Sequence, residues 1–176
     1  MVVSVADMKE VIKKRNKKIV FISVAIHFTT YQYEIGKRLA KEGYDIVYVT
    51  YSKECEQYLK KRNVVVYYMP YFFVLLKLSN ITNPTNDKVK YIENHGLDID
   101  KIIKGDADIS KKSKNEAIEI MYDNVMFWEY FLDEEKPDMI IGTPERYVGM
   151  IPYYLCKGTE TTYYYWKGGC LYLNQK

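Results

Sequence analysis

The sequence predicts an α/β fold: an open, mostly parallel, doubly wound sheet of about five or more strands, with helices on both faces. Three observations carry this. Apolar runs rich in β-branched residues alternate with helical segments, strand–helix–strand–helix–strand, across residues 18–69. Those runs are nearly continuous, which suits strands buried on both faces as in parallel sheets. The same grammar returns later, with a strand at 138–143, a helix, and a strand at 161–166.

The elements follow in order. Residues 4–15 read as a short basic amphipathic helix, with Ser4 and Asp7 at capping-box spacing and Val5, Met8 and Ile12 on one face. Such a helix can lie on an anionic membrane or pack on the domain edge. Residues 18–24 form the first strand. A glycine-free loop, 25–30, leads to a helix starting near Thr29, where Thr29 and Gln32 again have capping-box spacing. Gly43 sits where a left-handed helix terminus belongs. A strand at 45–50, a helix at 52–62 and a strand at 63–69 complete the first half. Pro70 breaks the pattern. The apolar run 71–78 reads as a buried helix or as an aromatic surface touching lipid or a lipid-linked substrate. Residues 79–115 are polar, a variable insertion with a short helix around 98–104 and an exposed His95.

A long helix spans 114–135, where Ile118, Met121, Val125, Trp128 and Leu132 recur at three- and four-residue steps until Pro137. After the strand at 138–143, Thr143 and Pro144 give an N-cap and a first-turn proline. The helix they open runs to about 157, and Pro152 inside it should kink or shorten it. Residues 161–166 are the fifth strand, with Gly168 and Gly169 opening the next loop. The organisation is thus an N-terminal helix over 1–16 and one domain over 17–176 with an insertion at about 79–115.

Composition narrows the function. The 26 basic residues are interspersed with 23 acidic ones for a net charge of +3, so no nucleic-acid partner is expected. The 19 tyrosines suit half-buried strands and ligand or interface surfaces, and also follow from a Lys-, Tyr- and Ile-rich bias. Cys55, Cys156 and Cys170 have no paired spacing and read as reduced thiols of a cytoplasmic protein. No signal peptide is visible and no apolar segment reaches bilayer length, so at most a peripheral contact with the inner face of a membrane is expected.

Ligands of open parallel sheets bind beyond the carboxyl ends of the strands, where strand order reverses. Three loops should meet there: 25–30, 143–146 and 167–169. His27 is the candidate acid/base, because imidazole titrates near neutrality, and Glu145 is a candidate to orient it. Thr29, Thr30, Thr143, Arg146 and Gly168 are candidate substrate contacts, with Arg146 at a helix N-terminus suited to an anionic group. Neither GxGxxG nor GxxxxGK[ST] follows any strand, which disfavours NAD or ATP at the first loop. No metal-ligand spacing is present, and no metal or cofactor is expected in this chain.

The stretch "KKIVFISVAIHFTTYQYEIGKRLAKEGYDIVYVT" resembles the first βαβ unit of GT-B glycosyltransferases of capsule and surface-polysaccharide synthesis. Its strand, His-bearing loop, "LAKEGYDI" helix and Thr-ended strand carry the likeness. "KPDMIIGTPERYVGMIPYYLCKGTETTYYYW" resembles a later unit of the same Rossmann-like domain. The resemblance implies an acceptor-binding N-terminal half, with a carbohydrate or lipid-linked acceptor and His27 as the base that deprotonates its hydroxyl. It also implies a nucleotide-sugar donor, held by a C-terminal domain or partner chain that this sequence does not include. Two other readings stay open: a non-catalytic Rossmann-like binding or interaction module, and a small nucleotide-binding enzyme.

Overall fold

The computed structural model describes residues 2–3, 18–78, 87–143, 146–167 and 170–173. The basic helix expected at 4–15 lies outside the described residues, as do Glu145 and Gly168. Among the described residues seven strands form one sheet: β1 (Val2–Val3), β2 (Lys18–Ser23), β3 (Asp45–Thr50), β4 (Val65–Tyr68), β5 (Met139–Gly142), β6 (Thr162–Lys167) and β7 (Cys170–Leu173), in the order β1-β7-β6-β5-β2-β3-β4. The five strands β6-β5-β2-β3-β4 are parallel, and β7 and β1 extend the sheet antiparallel beyond β6. This is the α/β, Rossmann-like open sheet that the apolar runs predict. Strand β2 pairs with β3 on one side and β5 on the other, so chain order reverses between β2 and β5.

The chain divides into two units. The first comprises Met1–Met69, Lys136–Thr143 and Glu160–Lys176 and contains the sheet. Its core joins Ile19 and Phe21 of β2, Tyr48 of β3, Met139 and Ile141 of β5 and Tyr164 of β6 to two helices, α1 (Ile26–Lys41) and α2 (Lys53–Lys60), through Leu39 and Leu59. All of Ile19–Ser23 is buried, which explains the unbroken apolar run.

Helix α1 begins at Ile26, three residues before the start expected from capping-box spacing. Ala25 is extended and supplies no side-chain cap. Neither side chain caps it: the Thr29 hydroxyl bonds back to Ala25 C=O, and the Gln32 amide is committed to β2. The helix ends as expected: Gly43 has φ +93, its N–H reaches Ala40 C=O at 3.1 Å, and Tyr44 N–H reaches Leu39 C=O at 3.2 Å. That is the Schellman pattern, and it needs a residue free of Cβ strain.

Helix α2 is capped by Ser52, whose hydroxyl accepts from Cys55 N–H at 3.3 Å. Its Glu56 is buried and meets Lys53 and Lys60, both well exposed. The hydrogen bonds from Lys53 and then Lys60 hold the Glu56 carboxyl below the ordinary glutamate value of 4.5. A folded pKa below the unfolded one stabilises above the unfolded value, and that stabilisation is lost as pH falls through the folded value. Screening of the exposed lysines keeps the effect small. Glu56→Gln is therefore expected to lower stability slightly at pH 7 and to reduce the stability lost as pH falls below the ordinary glutamate value, read from urea melts at neutral and acid pH.

The second unit, Pro70–Glu135 with Pro144–Thr159, is helical among its described residues. Helix α3 (Met69–Leu78) opens it, followed by α4 (Lys88–Asn94), α5 (Ile99–Gly105), a 3-10 turn (Ile109–Lys111), α6 (Lys114–Glu135) and α7 (Tyr147–Leu155). The insertion thus carries helices α4 and α5, of which only α5 shows in the sequence pattern. Phe72 and Phe73 of α3 set edge-on contacts against Phe127 of α6, at 5.7 and 6.3 Å between centroids. The opposite face of α3 is not buried: Tyr71, Val74, Leu75 and Leu78 form an exposed stripe. His95 is not a free surface residue either. Its Nδ1 lies 2.8 Å from Tyr91 C=O and its Nε2 2.6 Å from Glu129, which also accepts from the Tyr91 hydroxyl. Those bonds tie α4 to α6.

Helix α7 begins at Tyr147 rather than at Thr143-Pro144. Its first N–H is received by Asp106, 41 residues upstream, at 2.7 Å. Pro152 lies inside it and the helix ends at Leu155, shorter than the sequence implies. Burial pushes the Cys156 thiol up to about 12, so it stays protonated at neutral pH. Cys156 is expected to resist iodoacetamide in the native protein at pH 7.5 and to react at once in 6 M guanidinium, as peptide mass mapping will show. Among the described residues, no helix is long and apolar enough to cross a membrane.

Candidate functional site

The switch point between β2 and β5 carries a pocket of about 260 Å3, wholly within the first unit. Ile22 and Val24 come from the end of β2, and Phe28, Tyr31 and Gln32 from the first turns of α1. Thr143 follows β5, and Trp166 comes from β6. Phe28, Tyr31 and Gln32 are spaced i, i+3, i+4, so they share one face of α1. The pocket sits where parallel sheets hold ligands, beyond the strands' carboxyl ends.

Its floor is fixed by a network at the ends of β2 and β3. The Ser23 hydroxyl donates to Gln32 Oε1 at 2.6 Å, and Gln32 Nε2 donates to Ile22 C=O at 3.0 Å. A carbonyl only accepts, so the orientation of the Gln32 amide is determined. Thr50 Oγ1 donates to Ser23 C=O at 2.5 Å, and the Tyr48 hydroxyl to Gln32 C=O at 3.3 Å. Ser23, Thr50 and Gln32 are all buried, and each finds a partner, as buried polar groups must.

The residues expected from sequence separate into distinct places. Thr143 lines the pocket. His27 is exposed and outside the lining, but its ring lies 4.3 Å from that of Phe28, which is on it. Thr29 is fully buried and outside the lining, with its hydroxyl donating to Ala25 C=O at 2.9 Å and lying 3.2 Å from Cys55 Sγ. The Thr30 hydroxyl donates to His27 C=O at 2.7 Å. Arg146 belongs to the second unit and is ion-paired with Asp108. Glu145 and Gly168 lie outside the described residues.

Compared with known proteins, the sequence matches no family model and no curated protein. The site must be read from its own chemistry. Among the described residues no charged side chain lines the pocket, and no group of His, Cys, Asp and Glu is placed to hold a metal. What the lining offers is three aromatic rings, two aliphatic side chains and a few neutral polar groups. It can hold a small ligand by its apolar faces. The aromatic members Phe28, Tyr31 and Trp166 were not singled out by sequence reasoning. The i, i+3 pair of Phe28 and Tyr31 in "HFTTYQ" is the available signal, and capping-box spacing, which puts the helix start near Thr29, hides it.

Proposed function

We propose that the first unit is the acceptor-binding Rossmann-like half of a GT-B-type glycosyltransferase that acts on a carbohydrate or lipid-linked acceptor. The single observation that supports it is the aromatic-lined pocket at the switch point, reached by a strand-to-helix turn with no glycine-rich phosphate cradle. Sugar rings present apolar C–H faces that pack on aromatic side chains, and the glycine-rich fingerprint of a nucleotide-phosphate cradle does not follow β2. The nucleotide-sugar would be held by a separate domain or chain. In this reading His27, beside Phe28, receives the proton of the acceptor hydroxyl, and Thr143 contacts the acceptor.

Binding and proton transfer then separate by mutation. Trp166→Ala is expected to weaken binding of methyl glycosides at least about tenfold, by removal of a stacking face. His27→Ala is expected to keep the affinity within about twofold, because the ring is outside the lining. Saturation-transfer NMR titrations of the three proteins measure both. Equal affinity of the wild-type chain and Trp166→Ala would remove the pocket as the acceptor site.

A second reading is favoured by the exposed setting of His27, whose ring makes no hydrogen bond within the described residues. In that reading the unit is a non-catalytic binding module. Transfer by the assembled enzyme that is unchanged in His27→Ala would select it.

A further inference from the structure

The pocket at the switch point offers a ligand little but hydrocarbon contact. Its lining surface is almost wholly apolar, and no charged side chain is among the described residues that line it. Phe28 and Tyr31 line it yet are 39% and 67% exposed, so apolar ring surface stays in water there until something covers it. His27 stands elsewhere. It is exposed and outside the lining, with its ring 4.3 Å from that of Phe28. A base placed outside the pocket serves a hydroxyl that is also outside it. Size sets the other bound. An apolar cavity of about 150 Å3 takes benzene, with six carbons, so on that scale the 260 Å3 here take about ten carbons.

From this we infer that the pocket seats the hydrocarbon aglycone of a glycolipid acceptor, a chain bonded to the sugar of which about ten carbons enter, while the sugar itself lies outside, beside His27. The inference rests on the carbohydrate reading above and narrows its two acceptor classes to the lipid-linked one. A sugar brought wholly into the pocket would give up water at several hydroxyls and meet few polar partners. Each hydroxyl left unpaired costs binding. A chain in the same space loses no hydrogen bond and gains with every methylene removed from water. A methyl glycoside has no chain to offer, so the C–H face of its ring stacks on Trp166 instead, and a longer aglycone displaces it.

The test is a chain-length series on the intact 176-residue chain. The methyl, butyl, hexyl, octyl, decyl and dodecyl β-glucosides, and the same galactosides, are titrated by calorimetry below micelle formation. Affinity is expected to rise about twofold per added methylene and to level off at about ten carbons. Val24→Trp, which adds an indole to the lining, is expected to flatten the rise. An affinity that stays flat from methyl to octyl overturns this inference and leaves the carbohydrate reading standing. So does a rise that runs unbroken to dodecyl, or one that survives in Val24→Trp, since either puts the chain elsewhere. Octan-1-ol is the last arm. It is expected to bind at least about fivefold more weakly than the better of the two octyl glycosides. If it binds as tightly as both, the sugar adds nothing, the carbohydrate reading falls and this inference falls with it.

Discussion

Asp106→Ala is expected to lower the stability of the second unit by about 3 kcal/mol, measured by urea unfolding. The Asp106 side chain is 1% exposed. One carboxylate oxygen accepts from Asp108 N–H at 2.8 Å and Ile109 N–H at 3.1 Å, and the other accepts from Tyr147 N–H at 2.7 Å. Hydrogen bonds to an ionised acceptor are the strong kind, and this carboxylate also faces the positive end of α7. Alanine leaves three N–H donors behind, two of them on the buried residues Ile109 and Tyr147. An unsatisfied buried donor costs about 1–3 kcal/mol, which sets the scale of the effect. Asp106→Asn keeps the oxygen that serves Asp108 and Ile109 but points an N–H2 at the Tyr147 N–H, so its loss should fall between the two. A decrease below about 1 kcal/mol for alanine would mean that water replaces the carboxylate.

The second large effect reverses a general rule. Glycine inside a helix is about 1 kcal/mol worse than alanine, so Gly36→Ala in the middle of α1 ought to stabilise. Here it is expected to destabilise by about 1–3 kcal/mol. A Cβ on Gly36 falls well inside contact distance of the Tyr48 hydroxyl and 3.0 Å from Ile46 Cγ2. Tyr48 has no room to give. It is 0% exposed, its ring stacks on Phe21 at 5.6 Å, and its hydroxyl bonds to Gln32 C=O. Relief requires tilting α1 away from β3 or breaking that hydrogen bond. Gly36→Ala combined with Tyr48→Phe should recover much of the loss, because the atom in the way is removed. Thermal melts of the two variants decide it, and a rise in Tm for Gly36→Ala would show that the helix has room to move.

The fold was largely legible because its strands are buried. Residues 19–22, 46–49 and 139–142 each stand out as unbroken apolar runs, and the adjacency of β2 and β5 follows from the crossover rule. The long helix α6 is legible from its spacing and Pro137. Local pattern failed where a long-range partner took over. Thr29 and Gln32 have the spacing of a cap, yet the first faces Cys55 and the second Ser23 and Ile22. Thr143-Pro144 looks like a helix start, yet the helix waits for the residue that Asp106 can reach. Strand β1, two residues long, is too short to show a pattern. The pocket was half legible: its position and Thr143 followed from topology, while its aromatic walls gather residues of α1 and β6 that no local motif links.

The Gln32 side chain, bonded at both ends of its amide to β2, has a thermodynamic consequence. That wall of the pocket is already held in place before any ligand arrives, so little ordering of it is left to oppose association. Association should then be driven by enthalpy, with a negative heat-capacity change from the apolar surface removed from water. Cutting the tether, as Gln32→Ala does, would move the burden to entropy: the same contacts would form, but against a wall that must first be brought to rest.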